Sequence, residues 1–202
     1  MGRKSLEKIR KPITVKVEKW LAELLVELQD KNLEKITIDD LANLAGKSKS
    51  TIYQYFETKE DILVAACQTR IASLSLVVRE ATQMQDTPSV IYEYLVGTFT
   101  EGISDLSISF LHQIKTFYPI AWGLVNNFTD SFVSVLKELY RQGIQEKKYH
   151  PVSIELLASL DKYFVTQIVT NPALFPDKNY TLSHLVKDYL NLRLNGLIRK
   201  QS

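Results

Sequence analysis

Residues Ile36 to Phe56, reading Ile-Thr-Ile-Asp-Asp-Leu-Ala-Asn-Leu-Ala-Gly-Lys-Ser-Lys-Ser-Thr-Ile-Tyr-Gln-Tyr-Phe, constrain this chain more than any other stretch. Ile38, Leu41, Ala42 and Ala45 keep the spacing of one buried helix face. Thr37 precedes them with Asp40 three residues on, a capping-box-like start. Gly46 follows at once, and glycine readily takes the left-handed conformation that ends a helix. Ser48 is then a suitable N-cap for a second short helix. That helix buries Ile52 and Phe56, and it turns Lys47, Lys49, Ser50, Thr51, Tyr53, Gln54 and Tyr55 outward.

Two short helices joined by a glycine turn make a helix-turn-helix, whose second helix lies in the major groove of DNA. Ser, Thr, Tyr and Lys donate to phosphate, while Gln and Lys also read base edges. No carboxylate lies between Gly46 and Phe56, where a polyanion would repel it. The alternative is an ordinary helical hairpin with a polar face. Cap, turn, charge and residue type all favour the DNA-binding reading.

The run from Thr37 to Leu63, with Ile-Asp-Asp-Leu-Ala, Ala-Gly, Ser-Thr-Ile-Tyr-Gln-Tyr-Phe and Thr-Lys-Glu-Asp-Ile-Leu, resembles the DNA-binding head of TetR-family transcriptional regulators. The resemblance is specific over roughly residues 13 to 64 and architectural beyond them. It implies that Thr37 and Lys59 bond the DNA backbone, together with Ser48, Tyr53 and Tyr55. Lys49, Ser50, Thr51 and Gln54 would approach the bases. It also implies homodimerisation, a double-stranded, palindromic operator and release by a small-molecule effector. Two positions depart from the family pattern. Lys47 stands where an apolar residue usually packs inward, and Ser50 replaces a frequent glycine.

Composition supports a helix-rich globular chain. It has 202 residues, 45% of them hydrophobic, with 7 Gly and 6 Pro. The net charge of +2 hides a local footprint. Arg3, Lys4, Lys8, Arg10 and Lys11 face a lone Glu7 in the first twelve residues, as a basic arm beside a helix-turn-helix would require. The single Cys67 fits a reducing compartment. No apolar run approaches the roughly 18 residues of a membrane span, and the charged amino terminus is unlike a signal peptide. Met1-Gly2 would suit myristoylation, but Leu6 stands where that pattern wants Ser or Thr. A cytoplasmic protein with no membrane partner is expected.

The expected fold is all-α, with about nine helices. A three-helix head with the helix-turn-helix occupies residues 1–58, and a roughly six-helix effector-binding and dimerisation domain occupies 59–202. Val17, Trp20, Leu21, Leu24, Leu25 and Leu28 stripe the first helix. Thr58 caps a long helix from Lys59 to about Met84, and Pro119 breaks the chain after Phe117-Tyr118. Leu157, Leu160, Phe164 and Ile168, with Leu185 and Tyr189, form two late stripes. The resemblance assigns these to the interface between two copies.

An enzyme is not expected, nor a cofactor or metal. His112, His150 and His184 are dispersed, and no phosphate loop or nucleophile elbow occurs. Tyr92, Phe99, His112, Phe117, Tyr118, Trp122, Tyr163 and Gln167 are candidates to line an effector pocket around the Pro119 break, against the plainer reading that they are core. Two other readings remain open. One is a nucleoid or cell-division factor on the same scaffold without an effector; the other is a helical enzyme or interaction module.

Overall fold

The computed structural model describes residues 10–175, 177 and 180–199. Of the expected basic arm only its root, Arg10 and Lys11, falls within them; residues 1–9, and with them the Met1-Gly2 and Leu6 reading, lie outside the described residues. Among the described residues there are nine α-helices and no strand pair beyond one isolated antiparallel bridge between Tyr149 and Ile198.

The head is α1 (Val15–Glu27), α2 (Ile38–Leu44) and α3 (Lys49–Tyr55). α1 buries Val17, Trp20, Leu21, Leu24 and Leu25 at helical spacing. Both expected caps on either side of α3 form. Thr37 and Asp40 make a full capping box on α2, and Thr58 and Asp61 make another on α4 (Lys59–Gln83). α5 (Pro88–Gly102) and α7 (Pro119–Gln145) each start on proline, which needs no helical hydrogen bond there. α6 (Ile108–Phe117) lies between them. α8 (Ile154–Tyr163) runs straight into a π-helical turn, Phe164–Ile168, and α9 (Leu182–Leu197) closes the body. The ring of Tyr149 covers Gly143 so closely that no β-carbon fits there.

Two apolar cores result, and they do not divide at residue 58. The head core takes in Ile62, Leu63, Ala65, Ala66 and Cys67 of α4, and also Phe110, Ile114, Tyr118 and Ala121 from α6 and the start of α7. The body core is built from α5, α7, α8 and α9 on the outer half of α4. Helices α4 and α6 therefore belong to both halves.

By length and composition alone α4 is long and apolar enough to cross a membrane, contrary to the expectation that no stretch approaches a span. That helix is apolar because α1, α5 and α7 all pack against it. A core helix satisfies the same test.

Candidate nucleic-acid interface and effector cavity

Gly46 sits at φ +61°, inside the left-handed region, and the amide of Lys47 returns to the carbonyl of Ala42 at 2.9 Å. This reversal sets the angle of α3. Ser48 then accepts the amide of Thr51 at 3.1 Å, and its hydroxyl lies 3.0 Å from Ser50 and 2.8 Å from the Thr51 hydroxyl. Three hydroxyls thus gather where free amides and the helix dipole attract an anion. Behind them Ile52 and Phe56 are buried, with Phe56 edge-on to Trp20 at 5.9 Å. Ser48, Lys49 and Ser50 are exposed, and Lys47, Thr51, Tyr53, Gln54 and Tyr55 are half-buried. Tyr55 leans on Phe56, their ring centres 6.2 Å apart, so it faces outward less than its spacing suggests.

The surface around α3 holds contacts that the local sequence does not reveal. Asp39, from α2, pairs with Lys49 at 2.8 Å and holds its ammonium above the usual lysine range. The absence of carboxylates is therefore a property of α3, not of the face it presents. The Thr37 hydroxyl donates to the Asp40 carboxylate at 2.7 Å, and its bonds hold that carboxyl below the ordinary range. Lys59 turns inward. Its ammonium donates to the carbonyls of Glu34 (2.8 Å), Ile36 (3.3 Å) and Leu33 (3.5 Å), and stands 5.7 Å from the centre of the Tyr118 ring. All three of its donors are committed to the α1–α2 link.

That link is also clamped to α6. Gln113 accepts the amide of Leu33 at 2.7 Å and donates to the carbonyl of Lys31 at 3.0 Å. Gln29 accepts the amide of Ser107 at 2.7 Å, while the Tyr118 hydroxyl donates to the carbonyl of Leu33. The head therefore rides on α6 as well as on α4.

An apolar cavity of about 120 Å³ lies directly behind α6. Phe110 and Ile114 wall it on the head side, and Phe99, Phe128 and Phe132 on the α5–α7 side. Phe164 and Val165, from the π-helical turn, close it toward α8. Arg70 and Asp161, which line it, already have partners within the protein. Arg70 donates to the carbonyl of Gly102 at 2.7 Å and pairs with Asp105. Asp161, only 2% exposed, accepts from Tyr140 (2.8 Å), Tyr189 (2.7 Å) and Arg193 (3.2 Å). Burial and the Asp161 charge push the Tyr140 and Tyr189 phenols well up. Burial also pushes the Cys67 thiol, at the head end of the cavity, up to about 12, which leaves it an inert small hydrophobe.

Of the eight residues expected to line a pocket, only Phe99 does so. Tyr92 is core and donates to the carbonyl of Leu190 at 3.0 Å. Tyr118 belongs to the head core, and Trp122 lies beneath Lys115, 5.8 Å from its ammonium. Phe117 and Tyr163 are 40% and 58% exposed. His112 is exposed with its Nδ1 2.9 Å from the carbonyl of Thr170, and Gln167 accepts from Lys115 at 3.3 Å. The residues flanking the Pro119 break, Tyr118 and Ala121, belong to the head core and do not line the cavity. Among the described residues no three His, Cys, Asp or Glu side chains gather at metal-binding distance.

A family model described as "Bacterial regulatory proteins, tetR family" matches residues 21–66, from within α1 through α2 and α3 to the start of α4. The head of this chain is thus of the TetR-family type. A head of this type, on a chain similar to HTH-type regulators, supports a DNA-binding transcriptional regulator. The HTH-type transcriptional regulator YvaF of Bacillus subtilis strain 168 is 20% identical over 163 residues, covering 80% of this chain and 85% of YvaF. The TetR-family regulator PfmR of Thermus thermophilus shares the fold with a TM-score of 0.67 at 20% identity, over 93% of this chain and 100% of PfmR. FadR of Bacillus subtilis, solved in complex with stearoyl-CoA, superposes with a TM-score of 0.66 at 18% identity, over 88% and 98% of the two chains.

In the body the face left open differs from the one expected. Leu157, Phe164 and Leu185 are buried inside their own subunit, Ile168 is half-buried, and Tyr189 is stacked on Phe164 at 3.8 Å. Only Leu160 of the six is exposed. It lies instead on a second stripe with Leu156 and Tyr163, at i, i+4 and i+7, and Leu192 of α9 is 72% exposed. α8 is apolar on two faces, and periodicity alone selects the inward one. Asp39, Gln29 and Gln113 also escaped the sequence reading, since each acts on an element distant in the chain.

Proposed function

We propose that this TetR-family protein is a homodimeric, cytoplasmic repressor without catalytic activity, which leaves a palindromic operator when an apolar effector enters the body. The observation that carries the reading is that α6 walls the cavity with Phe110 and Ile114 while Gln113 on the same helix holds the head. A cavity of this size accepts a group comparable to a small ring; one of about 150 Å³ binds benzene. A longer hydrocarbon must widen it, and any outward displacement of α6 carries the α1–α2 link with it. An effector that needs the widened state binds the two head positions unequally, which is the condition for shifting them.

The exposed Leu156, Leu160, Tyr163 and Leu192 suit burial against a second copy. A dimer would offer two α3 helices to half-sites about 34–36 Å apart. FadR's stearoyl-CoA makes a long-chain acyl thioester the first effector to try here.

Selection of bound sequences from a random duplex pool tests the reading. A palindrome bound by two chains supports it, as does its release by stearoyl-CoA or a shorter acyl-CoA. A protein that enriches no sequence overturns it. Binding at many unrelated sites, unaffected by any acyl compound, would favour a nucleoid-type factor instead.

A further inference from the structure

The first described residues lie across the carboxyl end of the recognition helix. The Lys11 amide donates to the carbonyl of Gln54 at 2.8 Å, and the Lys11 ammonium donates to the Gln54 side-chain oxygen, also at 2.8 Å. Arg10 donates to the carbonyl of Tyr53 and lies 3.6 Å from Glu57. Two adjacent residues thus satisfy carbonyls that the end of α3 would otherwise leave open, so the position of Lys11 over Gln54 is set by backbone as well as side chain.

An ammonium has donors only, so the amide of Gln54 must turn its oxygen toward Lys11 and its NH₂ away. This changes what Gln54 offers to DNA. A free glutamine reads adenine with both ends of its amide, accepting from N6 and donating to N7. With an ammonium on one of its two lone pairs, the oxygen is a weakened and crowded acceptor for N6–H, whereas its NH₂ and the lysine beside it are donors. The major-groove edge that presents two acceptors and no donor is guanine, through O6 and N7.

We infer that Lys11 is a specificity-determining residue, which by occupying the Gln54 oxygen makes the pair select guanine over adenine at the base that Gln54 faces. The inference rests on the operator-binding reading above and extends it to one base of each half-site.

The test uses the full-length chain as wild type, Lys11→Met, Lys11→Arg and Gln54→Ala. Each is taken through selection from a random duplex pool, then titrated by fluorescence anisotropy against the selected duplex and its single-base variants. Lys11 is exposed, so these replacements disturb no core. Wild type should favour guanine at the position where Gln54→Ala erases preference, by roughly tenfold, the order expected of one bidentate contact. Lys11→Met should move that preference to adenine, and Lys11→Arg should keep guanine. If Lys11→Met weakens every duplex alike and leaves the preferred base unchanged, the inference fails while operator binding stands. It fails equally if Gln54→Ala alters no position. Absence of any enriched sequence with wild type would remove the operator reading itself, and this inference with it.

Discussion

Lys59→Met separates two roles that the family position and the structure assign to one ammonium. The lysine stem is kept in bulk by methionine, so packing along Tyr118 is little changed. What disappears is a donor to three carbonyls. The Glu34 carbonyl is exposed and water replaces its bond. Leu33 keeps the Tyr118 hydroxyl. The part-buried Ile36 carbonyl is left short of a partner, so the loss falls at the low end for charged hydrogen bonds, about 1–2 kcal/mol after allowance for solvent. For a chain of this size that lowers Tm by about 3–6 °C. Calorimetry or thermal circular dichroism reads this directly. Operator titrations between 50 and 200 mM salt supply the second readout, because losing one phosphate contact flattens the log–log slope by about 0.9. With its donors committed inside the head, Lys59→Met should lower Tm and change the slope by less than half of that amount. An unchanged Tm with a full loss of one ion would refute the tether, and show that the ammonium leaves its carbonyls for a phosphate.

Removing the carboxylate that holds Lys49, by Asp39→Asn, should raise affinity for mixed-sequence duplex and steepen its salt dependence by up to about one ion; equal slopes would mean that Lys49 never faces phosphate. Gly46→Ala meets no neighbour but must adopt φ +61°, so it should cost about 1–2 kcal/mol in chemical denaturation; unaltered stability would show that the turn relaxes. The Cys67 thiol titrates near 9 when unfolded and about 12 when buried, so its contribution is complete below pH 9 and is lost as pH rises toward 12. Urea midpoints should therefore fall above pH 9, by about 1.4 kcal/mol per unit from this group, and less steeply in Cys67→Ala; identical slopes in the two proteins would refute the assignment.

Local chemistry made the head legible. Thr37, Gly46, Ser48 and Thr58 act on residues three to five positions away, so their spacing alone predicts the caps and the turn that the structure contains. Ile52 and Phe56 could be named as the buried side of α3 for the same reason. The body resisted because its helices are apolar on more than one face. Periodicity shows that Leu157 and Leu160 lie on apolar stripes, but only packing decides that Leu157 is inside and Leu160 outside.

The functional surface divides in the same way. The amino-acid order by itself determined that a short capped helix presents hydroxyls, an amide and lysines to solvent. Which of those groups remain free was decided by partners 10 to 43 residues distant: Asp39 on Lys49 and Lys11 on Gln54. The position of the cavity likewise depended on where α5, α6, α7 and the π-helical turn converge, not on where aromatics cluster in the chain. Short-range hydrogen bonding is written into neighbouring residues, whereas charge neutralisation and voids exist only after distant helices have met.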